Sequence, residues 1–232
     1  MPGRPPTDFT VVKFDRDGTL LWQQNLNGTA NGFAAADSVA VDNQGNVVAA
    51  GVTLNTGTLA DFTVAKFDRD GTLLWQQNLN GIANSFDEAL SVAVDNQGNV
   101  VAAGVTQNTN TGTSLFTVAK FDRDGTLLWL RNLSGTAIGF NEAFSVTVDN
   151  QGNVVAAGVT QNVGTYLDFT VTKFDRDGTL LWQQNLGNFG LDEAFSVAVD
   201  NRGDVVAVGT SDRTVAKFAR DGTLLWQQNL NG

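Results

Sequence analysis

The sequence predicts an all-β chain built from tandem copies of one antiparallel sheet, and three observations support this prediction. A stretch of about fifty residues recurs along the chain, and periods of this size are typical of arrays of one supersecondary unit. The copies consist of β-branched runs separated by turns rich in Asn, Asp and Gly. No window shows the apolar spacing of 3.6 residues that an amphipathic helix requires.

The most uniform part of each copy is a hairpin segment. FDRDGTLLWQQNLNG or a close variant of it begins at five phenylalanines: Phe14, Phe67, Phe121, Phe174 and Phe218. The LLWQQNL run within it carries no charge in four of the five copies. An array this uniform leaves little room for one specialised site.

Each complete copy is predicted to hold four strands, which we label a to d and give here for the second copy. Strands a and b are Leu90–Asp95 and Asn99–Thr106, joined by a turn of Asn, Gln and Gly. Strands c and d are Leu115–Asp122 and Thr126–Leu133, joined by an Arg-Asp-Gly turn. The short Asp-Glu-Ala stretch at Asp87 is the only helix candidate, and it is too brief to count.

Connection lengths predict the order of these strands. The b–c connection shrinks to Gly209–Thr214 in the last copy, so b and c are adjacent antiparallel strands. The d–a connection, such as Asn80–Ala89, is never short, and ten residues can reach about 33 Å. That length crosses a four-stranded sheet, which spans about 14 Å. Because the strands are apolar on both faces, the sequence predicts the face-to-face blades of a β-propeller, with strand a at the channel and d at the rim.

The copies combine a D-x-x-G-N turn, a V/A-G-x-T strand end and an aromatic-x-D-x-G-x-L-x-W hairpin. These motifs lie in SVAVDNQGNVVAAGVT followed by DFTVAKFDRDGTLLWQQNLNG, and the pattern covers residues 8–232. The pattern resembles the bacterial β-propeller repeat known as the SBBP type; pyrroloquinoline-quinone-type repeats also place a Trp after an Asp-Gly turn. The resemblance implies a propeller within large exported or surface proteins of bacteria, and no common catalytic residue. The near identity of the copies indicates recent duplication or deliberate design.

The repeats predict four full blades and an N-terminal two-stranded half blade, about five blades in all. Residues 1–8, which contain all three prolines, are expected to be an extended lead-in. Residues 9–232 are expected to form one propeller domain. Its predicted parts are the half blade 9–27 and blades at about 37–80, 90–134, 144–187 and 195–232.

The strands do not sum to whole blades, because the chain has five c–d pairs and four a–b pairs. Three outcomes are open: a ring of five blades with one two-stranded blade, docking of the hairpin on another chain, or a piece of a longer array. A free blade edge exposes unpaired backbone groups and apolar surface, which favour association. We therefore expect a homo-oligomer formed through the incomplete blade.

Composition excludes several classes of function. The net charge of −10 argues against nucleic acid and anionic membranes, which select basic surfaces. The chain has no Cys, so it has no disulfide, and no His, so it lacks the commonest general base and zinc ligand. No segment reaches about 18 consecutive apolar residues, so no membrane insertion is expected. With no signal peptide visible, the expected compartment is the cytoplasm if the chain is complete. The SBBP-type resemblance implies an exported or cell-surface bacterial protein if the chain is a fragment.

The Asp-x-Asp-Gly motif has two interpretations. Spaced carboxylates with a Gly suit calcium, but a calcium loop needs a later acidic ligand, and Leu and Trp follow here. A hairpin turn is therefore predicted. The motif begins at Asp15/Asp17, Asp68/Asp70, Asp122/Asp124 and Asp175/Asp177, and Ala219 replaces the first Asp in the last copy.

Three further groups of residues are predicted to have ordinary structural roles. The five Trp are predicted to pack between blades rather than to bind glycans, and the Asp-Asn-Gln-Gly-Asn segments to form Asx-type turns rather than ligand sites. The paired carboxylates Asp87/Glu88 and Asp192/Glu193 are predicted to be solvated loop charges rather than glycosidase acids. Their analogues in the other copies are assigned to Ala35–Ala36 and Asn141–Glu142.

Departures from the repeat do not converge on one place, and they comprise Leu130–Arg131, Tyr166, Arg202, Asp204 and Arg213. The sequence therefore assigns no catalytic, cofactor-binding or metal-binding residue. It predicts a non-enzymatic propeller that acts as a scaffold or interaction module and self-associates, with a protein or glycan as the other class of ligand. The alternatives are a multivalent carbohydrate-binding propeller and a carboxylate-dependent hydrolase or lyase in the central channel.

Overall fold

The computed structural model describes residues 8–30, 32–81, 85–108, 112–187, 190–210 and 214–229. Within these ranges the chain forms strands and turns without any helix, and therefore has no helix able to cross a membrane. The strands form five sheets, four of which hold antiparallel strands in the order a-b-c-d. This confirms the predicted β-propeller of about five blades, one of them a two-stranded half blade.

The strands follow the chain in order. The half blade is β1 (Phe9–Phe14) and β2 (Leu20–Leu26). Blade 1 is β3 (Ala34–Val41), β4 (Val47–Asn55), β5 (Leu59–Phe67) and β6 (Leu73–Leu79). Blade 2 is β7 (Glu88–Val94), β8 (Val100–Asn108), β9 (Thr113–Phe121) and β10 (Leu127–Leu133). Blade 3 is β11 (Glu142–Val148), β12 (Val154–Asn162), β13 (Tyr166–Phe174) and β14 (Leu180–Leu186). Blade 4 is β16 (Ala194–Val199), β17 (Val205–Gly209), β18 (Thr214–Phe218) and β19 (Leu224–Asn229).

The structure adds two details to the predicted strands. The short stretch at Asp87 is not helical, in agreement with the prediction, and Glu88 and Ala89 begin β7 ahead of the predicted start of strand a at Leu90. The crossover into blade 4 also contains a short strand that was not predicted, β15 (Gly190–Leu191), which pairs parallel with β13.

The hydrophobic core lies between consecutive blades. Val48 and Phe62 of blade 1, for example, pack against Val100 and Phe121 of blade 2, and all four are fully buried. Strands b and c supply most of this core because both of their faces meet a neighbouring sheet, which explains their continuous apolar runs.

A glycine in strand b allows the innermost strand to bend. Strand a contains a bulge, which in blade 2 lies between Ala89 and Ser91. At Gly104, opposite the bulge, a Cβ atom would overlap the carbonyl oxygen of Glu88. A residue with a side chain at this position would displace the channel-lining strand.

The innermost strands join neighbouring blades by a repeated hydrogen bond. The amide of Val92 donates to the Oγ of Ser38 in the preceding blade at 3.1 Å, and Val146 donates to Ser91 in the same way. Strands β3, β7, β11 and β16 pack in succession, but β16 does not pack on β3 as the others pack on one another. A seam therefore lies between blade 4 and blade 1, at the half blade, which has no inner strands among the described residues.

Candidate functional site

The turns between strands c and d are tied by their first carboxylate. In blade 2, Oδ1 of Asp122 accepts hydrogen bonds from the amides of Asp124 and Thr126, at 2.9 and 2.8 Å. Gly125 adopts a φ of 90°. The bonds from Thr126 and Asp124 outweigh desolvation and lower the pKa of Asp122. The carboxylate accepts hydrogen bonds from the amides of its own turn, which confirms the hairpin-turn interpretation. Within the described ranges, no three acidic side chains cluster as a metal site would need.

The turns between strands a and b carry a buried ion pair. Oδ1 of Asp95 accepts the amides of Gln97 and Asn99, as expected for an Asx-type turn, and Oδ2 lies 3.1 Å from Nζ of Lys120. Both side chains are almost fully buried, and Lys120 also donates to the carbonyl oxygen of Gly152 in the next blade. Burial raises the pKa of Asp95, but the bonds from Asn99 and Lys120 more than offset it and the pKa is lowered.

Four of the five tryptophans lie between blades, as predicted. The ring of Trp75 packs 5.9 Å from that of Phe121 in the next blade, and its Nε1 donates to the carbonyl oxygen of Arg123 at 3.0 Å. Trp22, Trp129 and Trp182 make the same two contacts with blades 1, 3 and 4.

The fifth tryptophan corrects the prediction. Trp226, on β19, is 42% exposed, and no other blade among the described residues covers it. At the other end of the array, Phe14 is 54% exposed, whereas Phe121 is fully buried. A Cβ atom at Gly125 would meet the ring of Trp75 at 2.8 Å, but at Gly18 it would meet nothing within 4 Å. The two ends of the array thus carry the separated halves of a contact that the chain makes four times internally.

The structure corrects the prediction that the paired carboxylates of the crossovers are solvated loop charges. Asp87 is fully buried, and its two oxygens accept the amides of Gly81 and Gln107 at 2.7 Å each. Burial raises its pKa, although these two hydrogen bonds oppose the shift. Asp192 is likewise buried at the entry to blade 4. The carboxylate of Asp87 thus ties the crossover to strand b of blade 2, the blade that it enters.

The glutamates beside them line the innermost strands. Glu88 pairs with Val105 as Ala35 pairs with Val52, so Ala34–Ala35, not Ala35–Ala36, is the analogue of Asp87–Glu88 in blade 1. Desolvation, followed by the nearby carboxylates Asp37 and Glu142, raises the pKa of Glu88 to about 7.

The pKa of Glu142, at the equivalent position of blade 3, is raised in the same way. Desolvation, followed by the charge of Glu193, raises its pKa to about 7. The inner strands therefore carry one row of carboxylates that runs from blade 1 to blade 4. The sequence singled out Glu88, Glu142 and Glu193, but it did not single out Asp37 and did not predict that these acids lie along the inner strands.

The departures from the repeat have local roles. Arg131 donates to the carbonyl oxygen of Gly178 and lies over the ring of Trp129, which reduces the exposure of that tryptophan to 7%.

Three further departures lie at turns or strand ends. Asp204 adds a second carboxylate, 3.5 Å from Nζ of Lys217. Tyr166, the first residue of β13 after the b–c turn, adopts a φ of 85° and is exposed. Arg202 helps to line a cleft of about 170 Å³ between the a–b turns of blades 3 and 4, and Arg213 lies outside the described residues.

Comparisons with known proteins agree with this architecture. The chain is 26% identical over 204 residues to an uncharacterised WD repeat-containing protein of Acanthamoeba polyphaga mimivirus, and the match covers 66% of this chain but only 14% of that protein. A protein of unknown function from Bacteroides caccae superposes with a TM-score of 0.51 at 14% identity, over 92% of this chain and 72% of its own. A catalytically inactive virginiamycin B lyase from Staphylococcus aureus, solved with quinupristin, gives a TM-score of 0.55 at 11% identity, over 85% and 56%.

The two structural likenesses show the fold alone. The family model described as outer membrane protein assembly factor BamB matches residues 7–158 and again residues 60–232. Its two overlapping matches together span the half blade and all four full blades. The chain therefore belongs to this family of β-propeller repeat proteins.

Proposed function

We propose that the chain is a non-enzymatic scaffold that self-associates head to tail, with Trp226 of one copy packed on Phe14 and the Gly18 turn of the next. One observation carries the proposal: the chain forms this contact four times between its own blades and leaves both halves of a fifth exposed. Tryptophans in such pockets contribute much of the affinity of protein interfaces. The family description, which names an assembly factor, supports an interaction role.

The channel carboxylates fit this role better than they fit catalysis. An enzyme needs groups placed in different roles around one substrate, whereas Glu88, Glu142 and Glu193 occupy equivalent positions in successive blades. A glycan site built on one tryptophan per blade is also disfavoured, because four of the five indoles pack on the next blade. Within the BamB-type family, we further propose that the copies are of the SBBP type, on the basis of their D-x-x-G-N turns.

Light scattering coupled to size exclusion tests self-association. The molar mass of the wild-type protein should rise with concentration above that of one chain, and Trp226→Ala should remain a monomer. Leu225→Ala is the matched control. Leu225 is 50% exposed, and its equivalents between packed blades, such as Leu74 and Leu128, are 51% exposed, so this position does not contribute to the contact. A wild-type protein that stays monomeric at all concentrations contradicts the proposal.

A further inference from the structure

We propose that the seam beside the half blade is an acceptor site for a β-hairpin, namely one further a–b strand pair of this repeat type carried by another polypeptide. A second copy of this chain is not the source. Its described residues hold five c–d pairs and four a–b pairs, so it has no unused a–b pair to donate. The hairpin site lies on the half blade and blade 1 of a single copy and does not depend on head-to-tail association.

The first component of the site is the free edge of β1. In blade 2, strand c pairs with strand b on one side and with strand d on the other. Among the described residues, β1 pairs only with β2, so the backbone groups along its second edge face the seam. Such an edge accepts an added strand through main-chain hydrogen bonds.

The second component is the uncovered face of β3. Val39 and Val41 of blade 1 are 62% and 60% exposed, whereas Val92, the equivalent of Val39 in blade 2, is only 7% exposed. An open cleft of about 220 Å³ separates this face from β1 and is lined by Thr10–Val12 and Ala36–Val39. An inner strand placed there would bury the two valines as β3 helps to bury Val92.

The third component is a lysine without its carboxylate. In each full blade, the lysine of strand c pairs with the aspartate of the a–b turn of its own blade, as in Lys66–Asp42 at 3.1 Å. Lys13 is the equivalent residue in the half blade. It donates to the carbonyl oxygens of Gly45 and Arg69, but no described acidic side chain lies within ion-pair distance of it. An Asp-Asn-Gln-Gly-Asn turn would supply the missing charge.

These components specify the register of the incoming hairpin. By analogy with β8 and β9, in which Val101 lies opposite Lys120, its second strand would place the matching valine opposite Lys13. Its first strand would bring a serine hydroxyl to the amide of Val39, as Ser38 does for Val92. Strand pairing, apolar burial and one ion pair therefore all select the same ligand.

A synthetic peptide tests the site directly. Its sequence is that of residues 88–108, which form the a–b pair of blade 2, with a fluorophore at its C-terminus. We expect the peptide to bind saturably and 1:1 to the full chain that carries Trp226→Ala, as measured by fluorescence anisotropy. This background removes the proposed self-association, so failure of that proposal does not affect the result. Val39→Lys should weaken binding at least tenfold. The matched control Val163→Lys, at a loop position that is 76% exposed, should leave binding unchanged.

The proposed ion pair between Lys13 of the receptor and Asp95 of the peptide provides a second test. Peptide Asp95→Asn and receptor Lys13→Gln should each weaken binding several-fold, and the two together should be no worse than either alone. Hydrogen exchange should show new protection of the amides of Phe9–Phe14. The proposal is overturned if the peptide does not bind at millimolar concentration, or if binding is insensitive to Val39→Lys. Additive losses in the double variant would also overturn the proposed register.

Discussion

The indole of Trp129 and the backbone of Arg176 are joined by a hydrogen bond of 3.1 Å across the boundary between blades 2 and 3. The donor lies on the rim strand of one blade, and the acceptor lies in the c–d turn of the next. The bond therefore has a direction along the chain. Each blade provides a tryptophan to its successor and a turn to its predecessor.

This direction makes the effect of a tryptophan substitution depend on its place in the array. Trp129→Ala removes a ring that is 7% exposed, so it should lower the free energy of unfolding by about 3–5 kcal/mol. Trp226→Ala removes the same residue type from the equivalent position of the last strand and should cost less than about 1 kcal/mol in the monomer. Urea titration monitored by circular dichroism checks both values. Equal losses would mean that Trp226 is covered in solution.

Head-to-tail contact predicts complementation between two variants that fail alone. Phe14→Ala keeps an intact Trp226, and Trp226→Ala keeps an intact Phe14, so each alone should be monomeric. A mixture can form one intact junction and should yield a heterodimer that goes no further. Light scattering on the mixture measures this. If Trp226 met Trp226 in a two-fold contact, Phe14→Ala alone would still form a dimer.

Loss of a turn aspartate should destabilise the protein most where the ion pair of that aspartate with lysine is buried. Asp95→Asn leaves the ammonium of Lys120 buried without a counter-charge and should destabilise the protein by about 3–5 kcal/mol. Asp200→Asn is the control, because Lys217 is partly exposed and keeps Asp204 as a partner, and it should destabilise the protein much less than Asp95→Asn does. The double variant Asp95→Asn, Lys120→Met should recover part of the loss. Thermal unfolding compares the three.

The channel glutamates predict greater stability at pH 5 than at pH 8. The pKa of Glu88 and of Glu142 is about 7 in the folded chain, above the unfolded value, so the folded state binds more protons between those limits. The stabilising contribution of each group is complete below the unfolded pKa and is lost as the pH rises through 7. Because both side chains are only partly shielded from water, we expect about 1–2 kcal/mol per group.

Glutamine at both positions isolates this effect. The variant with Glu88→Gln and Glu142→Gln should show a flatter dependence of unfolding free energy on pH between 5 and 8, and should be more stable than the wild type at pH 8. Asp17→Asn with Asp124→Asn makes the same change in net charge at exposed turns and should leave the slope unchanged. A slope that survives in the glutamine variant assigns the titration to other groups.

The sequence predicted what depends on local pattern. The β-branched runs, the Asp and Gly of the turns and the lengths of the connections suffice to define four antiparallel strands and their order within a blade. It did not predict the burial of Asp87, because the amides of Gly81 and Gln107 that hold its carboxylate belong to separate segments of the chain. It also treated Trp226 like Trp182. Both lie in LLWQQNL, and their environments differ because blade 4 packs on Trp182, whereas no blade among the described residues packs on Trp226.

The directional tryptophan contact affects how such a gene can change in length. A duplicated copy, inserted in frame, carries both the indole that its successor needs and the turn that its predecessor needs, so both new boundaries are complementary at once. Loss of a copy rejoins two boundaries of the same kind. Unequal recombination could therefore lengthen or shorten the array by whole blades without a single compensating substitution.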